Sequence, residues 1–368
     1  MAAAELRAPI PKAELHLHIE GTLEPELAFE IAARNRLSLP CADAAALRRR
    51  YRFHNLQSFL DVYYATMAVL RTEQDFADLA AAYLEHARSQ GVRHAEIFFD
   101  PQAHSERGVG MATVVEGLWS VLGSSEQRYG ISTALIACFL RDRSAGAAME
   151  ALLAAMPFRD RIAAVGLDSA EVGHPPSKFV DVFDRARAEG FRCVAHAGEE
   201  GPASYIWEAL DVLQVARIDH GIRCLDDPAL VARLRDQQVP LTVCPLSNVR
   251  LAVVDRIEHH RLPDLIEAGL LVTVNSDDPA YFGGYIDDNY ELIRNRLGID
   301  DRQLVRLAEN SFRAAFLAPE KRDGYLAELA EFSATVSLAR MRGRHRRREA
   351  RETARGVFAE HVGVRSHP

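Results

Sequence analysis

Two histidines separated by one residue, His16 and His18, are the residues of this 368-residue chain whose type and spacing first suggest chemistry. They stand at the end of a short run that is typical of a β-strand, and residues two apart on a strand point to the same side. Both imidazoles can therefore face one point, and neutral imidazole is a favoured ligand of Zn²⁺ and its neighbours. Alone the pair is a weak signal, because a strand also carries two same-face histidines for packing or by chance.

Three further polar clusters stand where other predicted strands end. They are His196-Ala-Gly-Glu199-Glu200, Asp219-His220-Gly221 and Asn275-Ser-Asp277-Asp278-Pro279. Taken singly, each has an ordinary structural explanation: a hydrogen-bonded core histidine, the start of a helix, and a turn or helix cap. Taken together, three imidazoles and one carboxylate complete a site for one metal ion and leave a position open for water.

The metal ligands that this pattern predicts are His16, His18, His196 and Asp277. Strand eight lies beside strand one when a barrel closes, which brings Asp277 next to the first pair. Residues 166–169, at the end of predicted strand four, include no lysine that could be carbamylated to bridge two ions. We therefore expect a single metal ion, and a water bound to Zn²⁺ has its pKa lowered to about 7.

Two neighbouring residues are suited to moving protons. Glu199, three residues after His196, can donate a proton to the group under attack, and His220 can take or hold the proton of the water. Positioned acids and bases of this kind contribute about 10² to 10⁴ each to a rate. Asp278 is left to hydrogen-bond the substrate. The set predicts hydrolytic attack on an electron-poor carbon.

The elements that must position these residues are short apolar runs rich in Val, Ile and Leu, which alternate with longer amphipathic stretches. We predict strands at Ala13–His18, His94–Phe99, Ser132–Leu140, Ala163–Leu167, Cys193–Ala197, Ala216–Asp219, Leu241–Cys244 and Leu271–Asn275. Helical patterns that fit crossovers between parallel strands include Phe179–Glu189, Ile206–Leu213, Pro228–Gln237 and Leu262–Ala268. The repetition predicts a (β/α)8 TIM barrel, whose catalytic residues stand at the C-terminal ends of the strands. An open doubly wound sheet is the alternative, but no glycine-rich phosphate-binding sequence follows the first strand.

Residues 25–90, between the first two strands, are mostly helical in pattern and longer than a crossover needs. They include the helical patterns Leu56–Val69 and Glu73–Ser89, and we predict that they form a lid over the C-terminal mouth of the barrel. Apolar side chains in and near this insertion fit either core packing or contact with a flat ligand: Phe53, Leu56, Phe59, Tyr63 and Phe99.

The chain divides into two regions that differ in sequence pattern and charge. We predict a barrel at residues 1–320 and a helical or disordered basic extension at 321–368. The basic run at residues 340–351 fits a solvated terminal segment better than a tail that binds RNA or an acidic surface. The helical spacing of four apolar residues predicts that the first part of the extension packs on the body: Tyr325, Leu326, Leu329 and Phe332.

Composition excludes several classes of protein. With 48% hydrophobic and 26% charged residues, the chain is typical of a globular enzyme, and its net charge of −8 argues against nucleic acid as a partner of the main body. The five cysteines form no CxxC pair and fit reduced thiols. We find no signal peptide and no apolar stretch near the roughly 18 residues of a membrane span, so we expect a cytoplasmic protein without a membrane partner.

Five segments resemble the metal-dependent adenosine and adenine deaminases. They are His16-Leu-His18-Ile-Glu20-Gly, His196-Ala-Gly-Glu199, Asp219-His220-Gly, Cys244-Pro-Leu-Ser-Asn248 and Ser276-Asp277-Asp278-Pro279. They occur in the family's order and span residues 11–285. The resemblance implies hydrolytic deamination of a 6-aminopurine, with release of ammonia and one Zn²⁺ per chain on the ligands named above.

The resemblance also implies individual roles around the purine ring. Glu199 would protonate N1, His220 would assist the attacking water, and Asp278 would contact N7. The backbone of Ser169 would contact the other side of the ring. The partner is therefore a small aminopurine.

The choice of purine depends on Glu20. In adenosine deaminases an aspartate at this place contacts the ribose, whereas Glu20 is one methylene longer. The segments around it, around 166–171 and around 274–285 resemble the adenine deaminase branch most closely, which favours conversion of adenine to hypoxanthine. Our hypothesis is that the longer carboxylate and its neighbours fill the space of a ribose. Adenosine, N6-substituted adenine and aminodeoxyfutalosine stay open as alternative substrates.

Other functions stay open beside the deaminase. A non-catalytic metal-binding barrel would not need Glu199 and His220. A zinc deaminase of bases in polynucleotides would carry an HxE and a PCxxC sequence, but Cys244-Pro245 has no second cysteine at that spacing. A hydrolase of cyclic amides or phosphoesters on the same metal scaffold is the remaining alternative.

Overall fold

The structure of this protein is a computed structural model that describes residues 9–335. Over this range the chain forms one sheet of eight parallel strands in sequence order: β1 (Lys12–His18), β2 (Val92–Phe99), β3 (Ser132–Leu140), β4 (Ile162–Asp168), β5 (Arg192–Ala197), β6 (Arg217–His220), β7 (Leu241–Val243) and β8 (Val272–Val274). All eight predicted strands are present, and their ends lie within two residues of the predicted ends. The basic run at 340–351 lies outside the described residues.

Strands β8 and β1 close the sheet into a barrel at its rim. The backbone N–H of Asp277 donates to the carbonyl of His16, and the N–H of His18 donates to the carbonyl of Asp277, both at 3.0 Å. Deeper in the barrel, a side chain replaces the backbone as the acceptor between these two strands: the backbone N–H of Leu15 donates to Oδ1 of Asn275 at 2.8 Å. The predicted (β/α)8 TIM barrel is confirmed.

Helices follow the strands and cover the outside and the rim of the barrel. They are α1 (Pro25–Arg34), α2 (Ala44–Arg49), α3 (Leu56–Met67), α4 (Glu73–Ser89), α5 (Pro101–Ser105), α6 (Met111–Leu122), α7 (Ser125–Tyr129), α8 (Ala145–Ala155), α9 (Val180–Ala188), α10 (Ala203–Asp211), α11 (Pro228–Gln237), α12 (Pro245–Arg250), α13 (Leu262–Glu267), α14 (Pro279–Phe282), α15 (Ile286–Leu297) and α16 (Asp301–Ala314). Short 3-10 helices lie at Glu20–Thr22, Met156–Phe158, Pro176–Phe179, Ile222–Asp226 and Ile257–His259. Within the described range, no helix has both the length and the apolar character needed to cross a membrane.

Helices α1 to α4 form the predicted insertion after β1, and α3 lies over the mouth of the barrel. A capping box starts α3, since Asn55 Oδ1 accepts a hydrogen bond from the N–H of Ser58 at 2.9 Å and Ser58 Oγ accepts one from the N–H of Asn55 at 3.3 Å. This fixed start directs Leu56, Phe59 and Tyr63 towards the cavity at the rim. The insertion therefore covers the mouth, as predicted.

Residues 319–335 form a further helix that packs on the barrel. Leu329 is buried in the core, and Tyr325 stacks on Phe312 with ring centroids 5.3 Å apart. The hydroxyl of Tyr325 lies 3.1 Å from Oγ of Ser132 in β3. The packing that the helical spacing predicted for the first part of the extension is present.

A fully buried arginine organises the interior of the barrel. Arg217 donates from Nη1 to Glu96 Oε2 at 2.5 Å, from Nε to Asp219 Oδ1 at 3.4 Å and from Nη2 to the carbonyl of Leu15 at 3.0 Å. Its guanidinium lies 4.8 Å from the ring centroid of Phe316, whose N–H donates to Glu96. Although burial disfavours the charged carboxylate, Arg217 holds the pKa of Glu96 at about 2. The interior thus contains an ion pair with several additional hydrogen bonds.

We expect Glu96→Gln to lower the free energy of unfolding by about 3–5 kcal/mol, because it removes the closer of the two carboxylates that pair with the buried Arg217 and leaves only Asp219 at 3.4 Å. Urea unfolding at pH 7 measures the change. The matched control is Glu106→Gln, because Glu106 forms a largely exposed pair with Arg143 at 2.7 Å, and its loss should cost less than about 1 kcal/mol.

This contribution should depend on pH in a defined direction. Since the pKa of Glu96 is depressed on folding, its stabilisation is fully present above the usual value of 4.5 and is lost as the pH falls towards 2. The stability difference between wild type and Glu96→Gln should therefore shrink below about pH 4.5. A loss at pH 7 no larger than that of the control would contradict the assignment.

Candidate active site

The side chains predicted to act in the site all lie at the C-terminal ends of strands. The positions are β1 for His16 and His18, β5 for His196, the loop after β5 for Glu199, the last residue of β6 for His220, and the loop after β8 for Asp277 and Asp278. All of them are buried. The structure therefore brings the predicted set together at one rim, beneath the insertion.

Four of these side chains form a compact donor cluster. The closest ligand atoms of His16, His18, His196 and Asp277 all lie within 4.8 Å of one another. His18 Nε2 lies 3.2 Å from His196 Nε2, and His16 Nε2 lies 3.2 Å from Asp277 Oδ1 without making a hydrogen bond to any residue of the described range. Ring nitrogens that converge on one another and on a carboxylate match the nitrogen and oxygen donors that Zn²⁺ takes. The residues present fit a metal ion.

The protonation states of the cluster suit a cation. Burial lowers the pKa of His18 to about 3, and burial together with the neighbouring imidazoles lowers that of His196 well below its usual value. Although burial opposes it, the proximity of His16 holds the pKa of Asp277 well below its ordinary value. Neutral imidazoles beside an ionised carboxylate are the forms that bind metal.

Hydrogen bonds behind the cluster orient two of the rings. Nδ1 of His196 donates to the carbonyl of Leu167 at 3.1 Å. Nδ1 of His16 donates to Oγ1 of Thr242 at 2.9 Å, and that hydroxyl donates to Oδ1 of Asp219 at 2.8 Å. With Nδ1 carrying the proton in both rings, Nε2 is left as the donor atom towards the cluster.

Glu199 and His220 face each other beside the cluster. Oε2 of Glu199 lies 3.4 Å from Nε2 of His220, which in turn lies 3.9 Å from Oδ2 of Asp277. Burial, and after it the charge of Asp277, raises the pKa of Glu199 well above its usual range, whereas burial lowers the pKa of His220 to about 3. A proton donor and a neutral base therefore border the same space, which is the arrangement that acid and base catalysis of hydrolysis needs.

Three strand ends in this site have left-handed backbone. Ser169 after β4 has φ 71°, His220 at the end of β6 has φ 60°, and Asp277 after β8 has φ 66°. This region is disfavoured for residues other than glycine, and such strain is kept where surrounding contacts fix it, often at functional sites. All three residues line the cavity.

A glycine makes room for Asp278. A Cβ atom on Gly21 would lie 2.0 Å from Oδ1 of Asp278, so only glycine allows the loop after β1 to approach this carboxyl group. Oδ1 of Asp278 is buried and has no hydrogen-bond partner within residues 9–335. The Gly that follows His16-Leu-His18-Ile-Glu20 in the sequence thus has a specific packing role.

The cavity lies between the rim and helix α3. Of the five apolar residues singled out from the sequence, Leu56, Phe59 and Tyr63 line it. Phe53 instead packs edge-on against Phe59, with centroids 5.4 Å apart, and Phe99 is buried in the core. The cavity is therefore apolar and aromatic on the side of the insertion and polar on the side of the barrel, as suits a flat heterocycle.

Two further acidic residues in the cavity were missed by the sequence reasoning. Asp100, just after β2, accepts a hydrogen bond from the hydroxyl of Tyr63 at 3.4 Å, and Asp168, the last residue of β4, lies 3.6 Å from Nδ1 of His18. Both line the cavity. The rule that catalytic residues of a TIM barrel stand at the C-terminal ends of its strands identified the other residues. It applies to these two as well, because each stands where its strand ends.

Glu20 lies one layer behind the cavity and does not line it. Its Oε1 accepts hydrogen bonds from Nε2 of His104 at 2.7 Å and from the backbone N–H of Asp100 at 3.2 Å. Burial raises the pKa of Glu20 to about 7. Glu20 therefore reaches the cavity wall through the backbone of Asp100.

Comparisons with known proteins agree with this geometry. The family model described as adenosine deaminase matches residues 11–332. Adenine deaminase from Streptomyces coelicolor is 64% identical over 326 residues, which cover 88% of this chain and 96% of the relative. The crystal structure of adenine deaminase from Arthrobacter aurescens has a TM-score of 0.87 at 56% identity and covers 88% of this chain and 99% of its own. An amidohydrolase structure from Burkholderia ambifaria with bound Zn has a TM-score of 0.81 at 26% identity and covers 89% of this chain and 93% of its own. The resemblance found in the motifs is confirmed, and the chain belongs to the adenosine deaminase family.

Proposed function

We propose that this protein is a zinc-dependent adenine deaminase, which hydrolyses adenine to hypoxanthine and ammonia. The observation that carries the proposal is the convergence of a four-residue donor cluster with Glu199 and His220 around one covered cavity. Adenine as substrate is supported by the relatives from Streptomyces coelicolor and Arthrobacter aurescens, and zinc is supported by the ion bound to the Burkholderia ambifaria protein.

One zinc ion per chain would be held by His16, His18, His196 and Asp277. When bound there, zinc lowers the pKa of water to about 7 and so supplies a nucleophile at neutral pH. Glu199 donates its proton to N1 of adenine, which makes C6 more electron-poor. His220 holds the proton that the attacking water gives up.

The products follow from the movement of these protons. The water oxygen forms a bond to C6, the C6–N6 bond breaks, and N6 leaves as ammonia with the proton held by His220. The remaining proton of the water returns to Glu199, so the residues end as they began. Asp278 hydrogen-bonds N7, and the backbone of Ser169 contacts the opposite side of the ring.

Glu199→Gln should lower kcat for adenine by about 10²- to 10⁴-fold, because an amide of the same shape cannot deliver the proton to N1. Ammonia release measures kcat, with zinc content and thermal unfolding determined on the same preparation and expected to be unchanged. The matched control is Glu208→Gln on the outer helix α10, where the carboxylate accepts a hydrogen bond from the N–H of Ser177 at 3.0 Å. An unchanged kcat in Glu199→Gln would refute the acid role.

His196→Ala and His220→Ala should differ in their zinc content. We expect the first to lose bound zinc on dialysis, because it removes a ligand, and the second to keep it while losing turnover. Elemental analysis after dialysis gives the result without reference to activity. Equal zinc loss in both variants would show that the ligand set is wrong.

Adenine should be preferred over adenosine by at least about 100-fold in kcat/KM, a ratio that pocket shape can supply. We propose that Glu20 contributes through Asp100, whose backbone N–H it holds at the cavity wall. Glu20→Asp withdraws the carboxylate from this N–H and should narrow the preference. Steady-state kinetics with both compounds, N6-alkyl adenines and a cyclic amide measure it, and a preference of the wild type for adenosine would contradict the proposal.

We further propose that residues 1–320 form the catalytic barrel and 321–368 an extension, and that the protein acts in the cytoplasm. Its five cysteines are free thiols, as a reducing compartment favours: Cys41, Cys138, Cys193, Cys224 and Cys244. The proposed partner is a small aminopurine.

A further inference from the structure

A single buried carboxylate holds the loop that carries Glu199. Oε1 of Glu171 accepts a hydrogen bond from the N–H of Gly198 at 2.7 Å. Oε2 of the same residue accepts three more, from the N–H groups of Glu199 at 3.1 Å, Glu200 at 2.9 Å and Gly201 at 2.7 Å. Glu171 itself lies in the loop after β4 and is 1% exposed.

Four successive N–H groups that point to one place form a concave site for an anion. The segment between β5 and α10 is neither strand nor helix, so these groups have no ladder to satisfy them, and an unpaired buried N–H is costly. Hydrogen bonds to an ionised acceptor are about twice as strong as neutral ones. The position of the Glu171 carboxylate therefore determines the conformation of residues 198–201.

The neighbouring residues are adapted to this carboxylate. A Cβ atom on Gly201 would lie 2.6 Å from both Cδ and Oε1 of Glu171, so the loop approaches the carboxylate more closely than any other residue type would allow. On the other side of the loop, the buried Arg141 donates from Nη1 to the carbonyl of His196 at 2.6 Å. A cationic side chain thus holds the carbonyl before the loop, and an anionic one holds the amides that follow.

We propose that Glu171 is a positioning residue, which fixes the carboxyl group of Glu199 beside His220 in the cavity. The inference rests on the proposed acid role of Glu199. Glu199 borders the cavity, whereas Glu171 does not, so Glu171 acts through the main chain of the loop. Its four hydrogen bonds fix the backbone of Glu199, and so the point from which the Glu199 side chain extends. Oε2 of Glu199 lies 3.4 Å from Nε2 of His220.

Glu171→Gln tests the proposal, because an amide has the shape of the carboxylate but only one acceptor atom. Its NH₂ group must face at least one backbone N–H, which displaces the loop. A displacement of about 1 Å costs about 100-fold in rate, so we expect kcat to fall by about 10- to 100-fold. KM for adenine and zinc content should stay unchanged, and Glu208→Gln should retain the wild-type kcat.

A double variant separates positioning from general loss of structure. If Glu171 acts through Glu199, then adding Glu171→Gln to Glu199→Gln lowers the residual kcat no further. An equal loss of kcat in both backgrounds, or a fall in zinc content that accounts for the loss, would overturn the proposal.

Gly201→Ala provides a second variant should Glu171→Gln fail to fold. It keeps the carboxylate and places a methyl group against it, and we expect the same fall in kcat at unchanged KM and zinc content. A wild-type kcat in Gly201→Ala would overturn the proposal. Full activity of Glu199→Gln would overturn both the acid role and this inference, whereas full activity of Glu171→Gln beside an inactive Glu199→Gln would overturn the inference alone.

Discussion

The backbone of Asp277 closes the barrel, and the geometry of the site depends on that seam. Its N–H and carbonyl groups bind the main chain of His16 and His18, while its carboxylate lies 3.2 Å from Nε2 of His16. The left-handed φ of 66° lets one residue pair with a strand through its backbone and face the histidines with its side chain. The backbone positions of three of the four donor residues are therefore fixed by the pairing of β1 with the segment after β8. A rigid frame of this kind keeps the donors in place before any ligand arrives.

A second set of contacts carries this rigidity down into the barrel. The ring of His16 is held by Thr242, Thr242 by Asp219, and Asp219 by Arg217, which also donates to Glu96. Burying charged groups is expensive unless they are paired, and here Arg217 is paired with both Glu96 and Asp219. The interior that stabilises the fold and the support of a proposed metal ligand are thus one continuous network, which explains why polar residues replace part of the usual apolar filling.

The sequence allowed much of this to be predicted because the chemistry coincides with periodic structure. The spacing of His16 and His18 follows from the two-residue repeat of a strand, and the position of catalytic residues at strand ends led to the other proposed ligands. Asp168 also ends a strand, but the sequence does not distinguish it, because a lone aspartate at a strand end is equally typical of a turn. The role of Glu171 could not be predicted from the sequence, because it depends on four amide groups from a different loop. The position of Glu20 behind the cavity wall likewise depends on how helix α5 packs against it, and no local sequence pattern encodes that packing.

The closure of β1 against β8 also has a consequence for how the site comes into being. The seam joins residues 260 positions apart, Leu15 and Asn275. Contacts of such separation form slowly, because a long stretch of chain must be ordered before they are made. During synthesis the two histidines of β1 leave the ribosome early, yet their carboxylate partner follows only when three quarters of the chain exist. With the proposed ligands, tight binding of zinc thus becomes a property of the finished barrel, and uptake of the ion reports that folding is complete.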